Sequence, residues 1–266
     1  MILYPYEDKI GFVNLVDKFI TDVGLKVVNT ARISYNKQKE LFDDKDKKLV
    51  NFLWNEDHTS PFRHSFYTFH IKMPLFVARQ WQKYQVGSIW REYELNTDSP
   101  NPIVNIDLID LMYDTDKGCS WNEVSGRYTQ TSTDFYFPTQ LRSNPPHGNK
   151  QSSEEYHNYL ADTDSDYRTE EQLLARFKKS AQMALAEYHF MIKNGVAKEL
   201  ARMSIPPNIY TESYWTVSLQ AILHFLDQRL HKNAQFEIRK DAECIYSLVK
   251  EDLDKAGITI KQHEAL

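Results

Sequence analysis

Thiols are scarce in this chain: Cys119 and Cys244 are the two cysteines in 266 residues. Two cannot build a disulfide framework, and neither stands at a spacing suited to a zinc site. The nine histidines form no His-Glu-x-x-His or comparable pattern, so no metal is expected. Long apolar runs are missing too, since no stretch approaches the roughly 20 residues of a membrane span. The opening residues, MILYPYEDKIGF, lack a basic stretch leading into an apolar one, and a cytoplasmic protein with no membrane partner is the expectation. A positive excess is lacking as well. The formal net charge of -5 argues against a general grip on nucleic acid polymers, while leaving room for a local basic pocket that holds one phosphate.

What remains is an ordinary globular composition, 41% hydrophobic, 13% aromatic and 26% charged, long enough to bury a proper core as a single domain over 1–266. Residues 10–35 read as a short strand followed by a helix, and 44–58 as a second helix with Leu49, Phe52 and Leu53 on one side. From His64 the period changes. Tyr67, Phe69, Ile71 and Met73 alternate with polar or mixed positions, as in a strand with one face on a core. Pro74 then suits the first turn of a helix.

Residues 91–117 carry seven acids (Glu92, Glu94, Asp98, Asp107, Asp110, Asp114, Asp116) against Arg91 and Lys117, which equals the whole formal excess of the chain. This segment reads as an inserted acidic excursion, and 139–168, broken by Pro145-Pro146, reads as a long loop and a lid candidate. The C-terminal part reads as helical. Thr169 and Gln172 form a capping-box pattern, with Leu173, Leu174, Phe177, Ala181, Ala184, Leu185, Tyr188 and Met191 following at helical spacing until Gly195. A short helix precedes Pro206-Pro207, another is expected over roughly 213–230, and a last one over about 233–255. A few strands in front of four or five helices make the fold class α+β.

Two segments concentrate polar chemistry. In VARQWQKYQVGSIWREYELN (77–96), Arg79, Gln80 and Lys83 fall on neighbouring helical turns and share one face, which can equally be a solvated surface. In WNEVSGRYTQTSTDFYFP (121–138), Glu123, Ser125, Gly126 and Arg127 set a carboxylate, a hydroxyl, a bare backbone and a guanidinium within five positions. Arg can fork onto a phosphate, Ser and a glycine N–H can approach closely, and Glu can accept from a ribose hydroxyl. A surface turn would also explain the tripeptide.

Taken together, these segments resemble the flavin-dependent thymidylate synthases. The family's stretch ARQW..RHR..S.NE.SGRY is met by ARQWQKYQVGS at 78–88 and SWNEVSGRY at 120–128. Further matches are TARISY at 30–35, HTSPFRHSFYTFHIKMPLFVARQW at 58–81, GVAKELARMSIPPNIYTESYWTVS at 195–218 and LHFLDQRLHKNAQFEI at 223–238. They follow the family's order over most of the chain. The motif is split, however, with Gln85 and Ser125 standing 40 positions apart where the family has them close, and the insertion at about 89–120 is the acidic excursion.

The resemblance implies a small, mostly antiparallel sheet packed with several helices. It also implies a homotetramer holding FAD between subunits, with dUMP stacked on the flavin. Methylenetetrahydrofolate would be the one-carbon donor, and NADPH would reduce the flavin. No protein thiol is needed. Carried over by matched position, Gln80, Trp81, Lys83, Glu123, Val124, Ser125, Gly126, Arg127, Arg202 and Arg229 would form the dUMP site, with Arg229 as the catalytic residue favouring ionisation of the pyrimidine at N3. On composition alone Arg229 could be a helix-surface arginine paired with Asp227 or Glu237. The FAD set would be Ser34, Ser60, Arg63, Lys83, Tyr84, Gln85, Glu123, Ser218, Gln220 and His224.

The two sets match unequally. Lys83, Tyr84 and Gln85 stand where the family has Arg-His-Arg, Ser218, Gln220 and His224 where it has asparagine, arginine and asparagine, and Arg63 where it has an acid. A lysine is a point charge with less directional hold on a pyrophosphate than paired arginines. Three readings follow: a working synthase whose Arg63 and Lys83 supply charge from new positions, a sister enzyme yielding a hydroxymethyl product or taking dCMP, and a catalytically inactive nucleotide-binding homologue.

Overall fold

A computed structural model describes residues 1–19, 22–84, 121–129, 132–144 and 153–260. The acidic excursion, Gln85 and Cys119 lie outside them. Strands β1 (Ile2–Leu3), β2 (Phe12–Phe19), β3 (Phe66–Pro74) and β4 (Trp121–Glu123) join a later strand, Tyr210–Ser218, in one antiparallel sheet. Its order is β1-β2-β3, then Tyr210–Ser218, then β4. Helices α1 (Val23–Arg32), α2 (Asp44–Asn55) and α3 (Leu75–Trp81) come from the first third of the chain, with a 3-10 turn at Ser60–His64 before β3.

The alternation expected for β3 is present: Tyr67, Phe69, Ile71 and Met73 are wholly buried, and the residues between them face the other side. This strand is the spine of the fold because both its neighbours pair along its length. Rings on the buried side interlock, with Trp81 stacked on Phe225 at 4.8 Å and edge-on to Trp215 at 5.4 Å. Side chains of this size contribute about 1.5–3 kcal/mol each on burial. In α2 the core side consists of Val50, Leu53 and Trp54, and Phe52, expected inside, is 55% exposed.

In the second half, β5 (Arg142–Ser143) and β6 (Glu154–Glu155) form a small hairpin within the long loop, before α4 (Glu170–Lys193) and α5 (Lys198–Ala201). The capping box at Thr169 and Gln172 forms as expected, and Gly195 takes the left-handed conformation just past α4. The helix expected over 213–230 is corrected. Tyr210–Ser218 is strand β7, and helix α6 runs only from Leu219 to Arg229. Ser213, Trp215 and Val217 are buried while Glu212, Tyr214 and Thr216 face outward, a two-residue period that β-branched and aromatic side chains suit. Pairing with β3 on one side and β4 on the other fixes the register. Helix α7 (Phe236–Ala256) ends the described chain. Together with α1, α3 and α6 it covers the Trp81 side of the sheet. The other face carries polar pairs, with Thr68 and Thr216 hydroxyls at 3.0 Å and His70 stacked on Tyr214 at 4.6 Å.

Candidate active site

A cavity of about 220 Å³ opens where β3, α3, β4 and β7 meet, lined in part by Arg79, Glu123, Val124, Gly126, Arg202 and Thr211. Short β4 hangs on β7 by Val124 N–H donating to the Glu212 carbonyl at 2.9 Å. Glu123 therefore projects where three donors converge. Gln82 Nε2 and Thr211 Oγ1 each donate to it at 2.8 Å and Trp121 Nε1 at 3.4 Å. Beyond it Ser125 opens a tight turn, its carbonyl accepting from Tyr128 and Thr129 and its Oγ from the Arg127 N–H at 3.3 Å. Gly126 thus faces the cavity with no side chain in the way, and the Arg127 guanidinium, 5.2 Å from the Tyr128 ring centre, stays exposed.

Four residues expected at the nucleotide, Glu123, Val124, Gly126 and Arg202, line this cavity, and Ser125 and Arg127 flank it. Lys72, Arg79, Tyr210, Thr211 and Glu212 also line it and were not among the candidates. Arg79 shared a helical face with Gln80, which was the available signal. The others lie on β3 and at the start of β7, where Tyr210 is buried and Lys72, Thr211 and Glu212 are half-buried, and only the pairing of those strands reveals them. Lys72 is held by Asp134 at 2.7 Å, and Glu212 by His70 at 2.6 Å.

Gln80 and Arg229 do not line this cavity. Gln80 donates from Nε2 to Gln235 Oε1 at 2.5 Å. Arg229 ends α6 half-buried, its guanidinium carbon 5.4 Å from the centre of the Tyr84 ring, and Glu237 is ion-paired with Arg142. Burial pushes the Tyr84 phenol upward, and the Arg229 charge opposes that rise. Trp81, expected at the nucleotide, is a correction: it is wholly buried in the core, where no ligand reaches it. Lys83 is exposed one turn beyond α3.

Of the flavin candidates, Arg63, Ser218 and Gln220 meet at the N-terminus of α6. Arg63 donates from Nε to Gln220 Oε1 at 2.5 Å, joining the Ser60–His64 turn to the first turn of the helix. Ser218 caps that helix, accepting from the Ala221 N–H, and is wholly buried. His224 is exposed with its ring 5.5 Å from that of Tyr84, and Ser34 and Ser60 are exposed. Exposed Arg63 beside a helix N-terminus fits an anionic group such as a pyrophosphate. Cys244 lies half-buried in α7 with its thiol pushed up to about 12 by burial, unsuited to act as a nucleophile at neutral pH.

The family model described as "Thymidylate synthase complementing protein" matches residues 15–96 and 115–253. The chain is 35% identical over 259 residues to a flavin-dependent thymidylate synthase of Thermus thermophilus, covering 97% of this chain and 78% of that protein. It is 31% identical to the one of Thermosipho africanus, covering 93% and 89%. Among solved structures it is similar to the UMP/dUMP methylase PolB from Streptomyces cacaoi bound with 5-Br dUMP, with a TM-score of 0.66 at 24% identity over 92% of this chain and 94% of that one. The α+β fold and most of the sequence thus define one class, the flavin-dependent thymidylate synthase class. The chain belongs to the thymidylate synthase complementing protein family.

Proposed function

We propose that this chain is a flavin-dependent thymidylate synthase, converting dUMP to dTMP with methylenetetrahydrofolate as one-carbon donor and FAD, reduced by NADPH, as hydride source, in the cytoplasm. The observation that carries the reading is the cavity that joins Arg79, Arg202 and the Gly126 backbone to an oriented Glu123. The arginines and the backbone suit a 5′-phosphate, and a carboxylate held by three donors keeps a lone pair fixed for a sugar hydroxyl. Arg229, clamped on Tyr84, is a fixed cation that would stabilise the negative charge building on the pyrimidine as C5 attacks. Arg63, Gln220, His224, Ser34 and Ser60 would hold the cofactor. When bound, the reduced flavin supplies the hydride that completes the methyl group.

Gln80 and Arg229 do not line the cavity, and the reading includes a homotetramer in which neighbouring copies complete each site. The apolar side chains of Phe177, Met183 and Phe190 on α4 and Leu200 and Met203 just after it are each more than half exposed. A row of this kind supports a covering partner. The test is mass identification of the nucleotide formed from dUMP, methylenetetrahydrofolate, FAD and NADPH by the purified protein. Thymidylate is expected; a hydroxymethylated or unchanged nucleotide overturns the reading.

A further inference from the structure

Between β1 and β2 the chain turns sharply from Tyr6 to Gly11. The Tyr6 carbonyl accepts from the Lys9 N–H at 3.2 Å, and Asp8 Oδ1 accepts from the Ile10 N–H at 2.9 Å. Lys9 takes a left-handed φ of 56°, a conformation that a long side chain keeps where its surroundings hold it. Gly11 passes so close to the Tyr6 ring that a Cβ there would stand 2.7 Å from it. Two phenol–carboxylate bonds tie this strap down. The Tyr6 hydroxyl donates to Asp241 Oδ2 in α7 at 2.6 Å, and the Tyr210 hydroxyl in β7 donates to Asp8 at 2.6 Å. Rings complete the fastening, with Tyr6 5.1 Å from Tyr136 and 6.4 Å from Tyr210. Because Tyr210 also lines the cavity, the strap braces one of the cavity walls.

Asp241 is the unusual member of this group. It is wholly buried, its Oδ1 has no partner among the described residues, and its Oδ2 meets a neutral phenol. Glu237 and Cys244 stand one turn away on either side in α7, and Tyr136 and Tyr210 close on the Tyr6 ring. The cation that reaches this end of α7, Arg142, is ion-paired with Glu237 and lies 4.7 Å from the Phe236 ring centre. Lys240 and Glu243 pair with each other at 2.7 Å. A buried carboxylate with no cation to meet it is costly, and such a group keeps its proton instead. Burial pushes the Asp241 carboxyl well above the ordinary range, the Tyr6 bond works against that rise, and the Glu237 charge adds to it.

We infer that residues 6–11 form a strap latched by the proton on Asp241, which opens increasingly as the pH rises and loosens the Tyr210 wall of the cavity. The latch depends on no ligand and stands apart from the proposed reaction. In the closed strap the acid is neutral. Once the strap opens, Asp241 meets water and ionises in the ordinary range near about pH 4. Opening therefore releases one proton, so its equilibrium is level below about pH 4 and rises about tenfold per pH unit above that, up to the raised value of the closed state.

The experiment is hydrogen exchange of the intact protein, read by mass spectrometry from about pH 5.5 to about pH 7.5, a range in which the latch predicts its full slope. Asp241→Asn is run beside it, since the amide has the shape of the acid and no such proton to lose. Taking the ratio of the two proteins at each pH removes the chemical rate of exchange, which rises with pH in both. Peptides covering residues 4–11 and 208–212 of the unaltered protein are expected to gain on the variant by about tenfold per pH unit. Asp241→Leu, which has no ionisable group there either, takes the place of the amide if that variant fails to fold. The unaltered protein's own protection, corrected for the chemical rate, must fall with the same slope. A ratio that stays constant with pH overturns the latch, and a slope confined to residues 4–11 overturns the brace on Tyr210.

Discussion

In the cavity beside β4, Glu123 is gripped by Gln82, Thr211 and Trp121, and outside that cavity Gln80 is held by Gln235. At the N-terminus of α6, Arg63 has Gln220 as its partner, and the other flavin candidates Ser34, Ser60, Lys83 and His224 stand exposed. On the proposed assignment, the pyrimidine side is organised by one chain before any ligand arrives, whereas the flavin side offers charge with little to direct it. Preorganised groups can tell one small ligand from another and stabilise developing charge without reorganising. Loosely held surface cations mainly attract, and salt screens them. The family's residues are kept on the pyrimidine side and altered on the flavin side, so the altered cofactor set should cost affinity for FAD more than it costs turnover once FAD is bound.

Removing the fixed cation should break the comparison most severely. Arg229→Ala is expected to lower kcat by about 10²–10³-fold or more, the scale of a lost transition-state donor, with an unchanged circular dichroism spectrum because Tyr84 packs on Phe225 and His224 as well. Turnover that survives would show that Arg229 is a structural helix-end residue. Next in size is Glu123→Gln, which keeps the shape but brings an NH2 among three donors. It should weaken dUMP binding about tenfold to a hundredfold in titration calorimetry while FAD affinity holds. A parallel loss of FAD would merge the two regions into one.

Much of this architecture was legible in the residues. The alternation at Tyr67, Phe69, Ile71 and Met73 gave the central strand, Thr169 with Gln172 gave the start of α4, and the polar run from Glu123 to Arg127 marked the turn that faces the cavity. What escaped depends on pairing between distant segments. Residues 213–218 carry apolar groups that suit either period, and only the ladders to β3 and β4 make them a strand. Lys72 and Glu212 sit directly opposite each other in that ladder, so neither signals the cavity alone. Trp81 lay in the middle of a functional motif, yet its size and apolar character sent it to Phe225 and Trp215 rather than to a ligand. Motif membership does not separate a side chain that touches the ligand from one that holds up its neighbours.

The smallest expected effect falls on the flavin side and tests whether a displaced cation compensates for the altered motif. Arg63 is exposed, so its charge works through solvent and contributes on the order of 0.2–1 kcal/mol, as surface pairs do. Arg63→Gln is therefore expected to raise the Kd for FAD by about two- to fivefold, measured from flavin fluorescence, and to leave dUMP binding as it was. The difference between the two proteins should shrink as salt is raised, because an ionic contribution at the surface is screened within about 10 Å at 0.1 M. Arg63→Lys should recover part of the affinity through charge but not the bond that aims Nε at Gln220, since an ammonium lacks the planar fork. An Arg63→Gln protein that binds FAD as tightly as before, at low salt as well as high, would place the compensating charge elsewhere, with exposed Lys83 the next position to change.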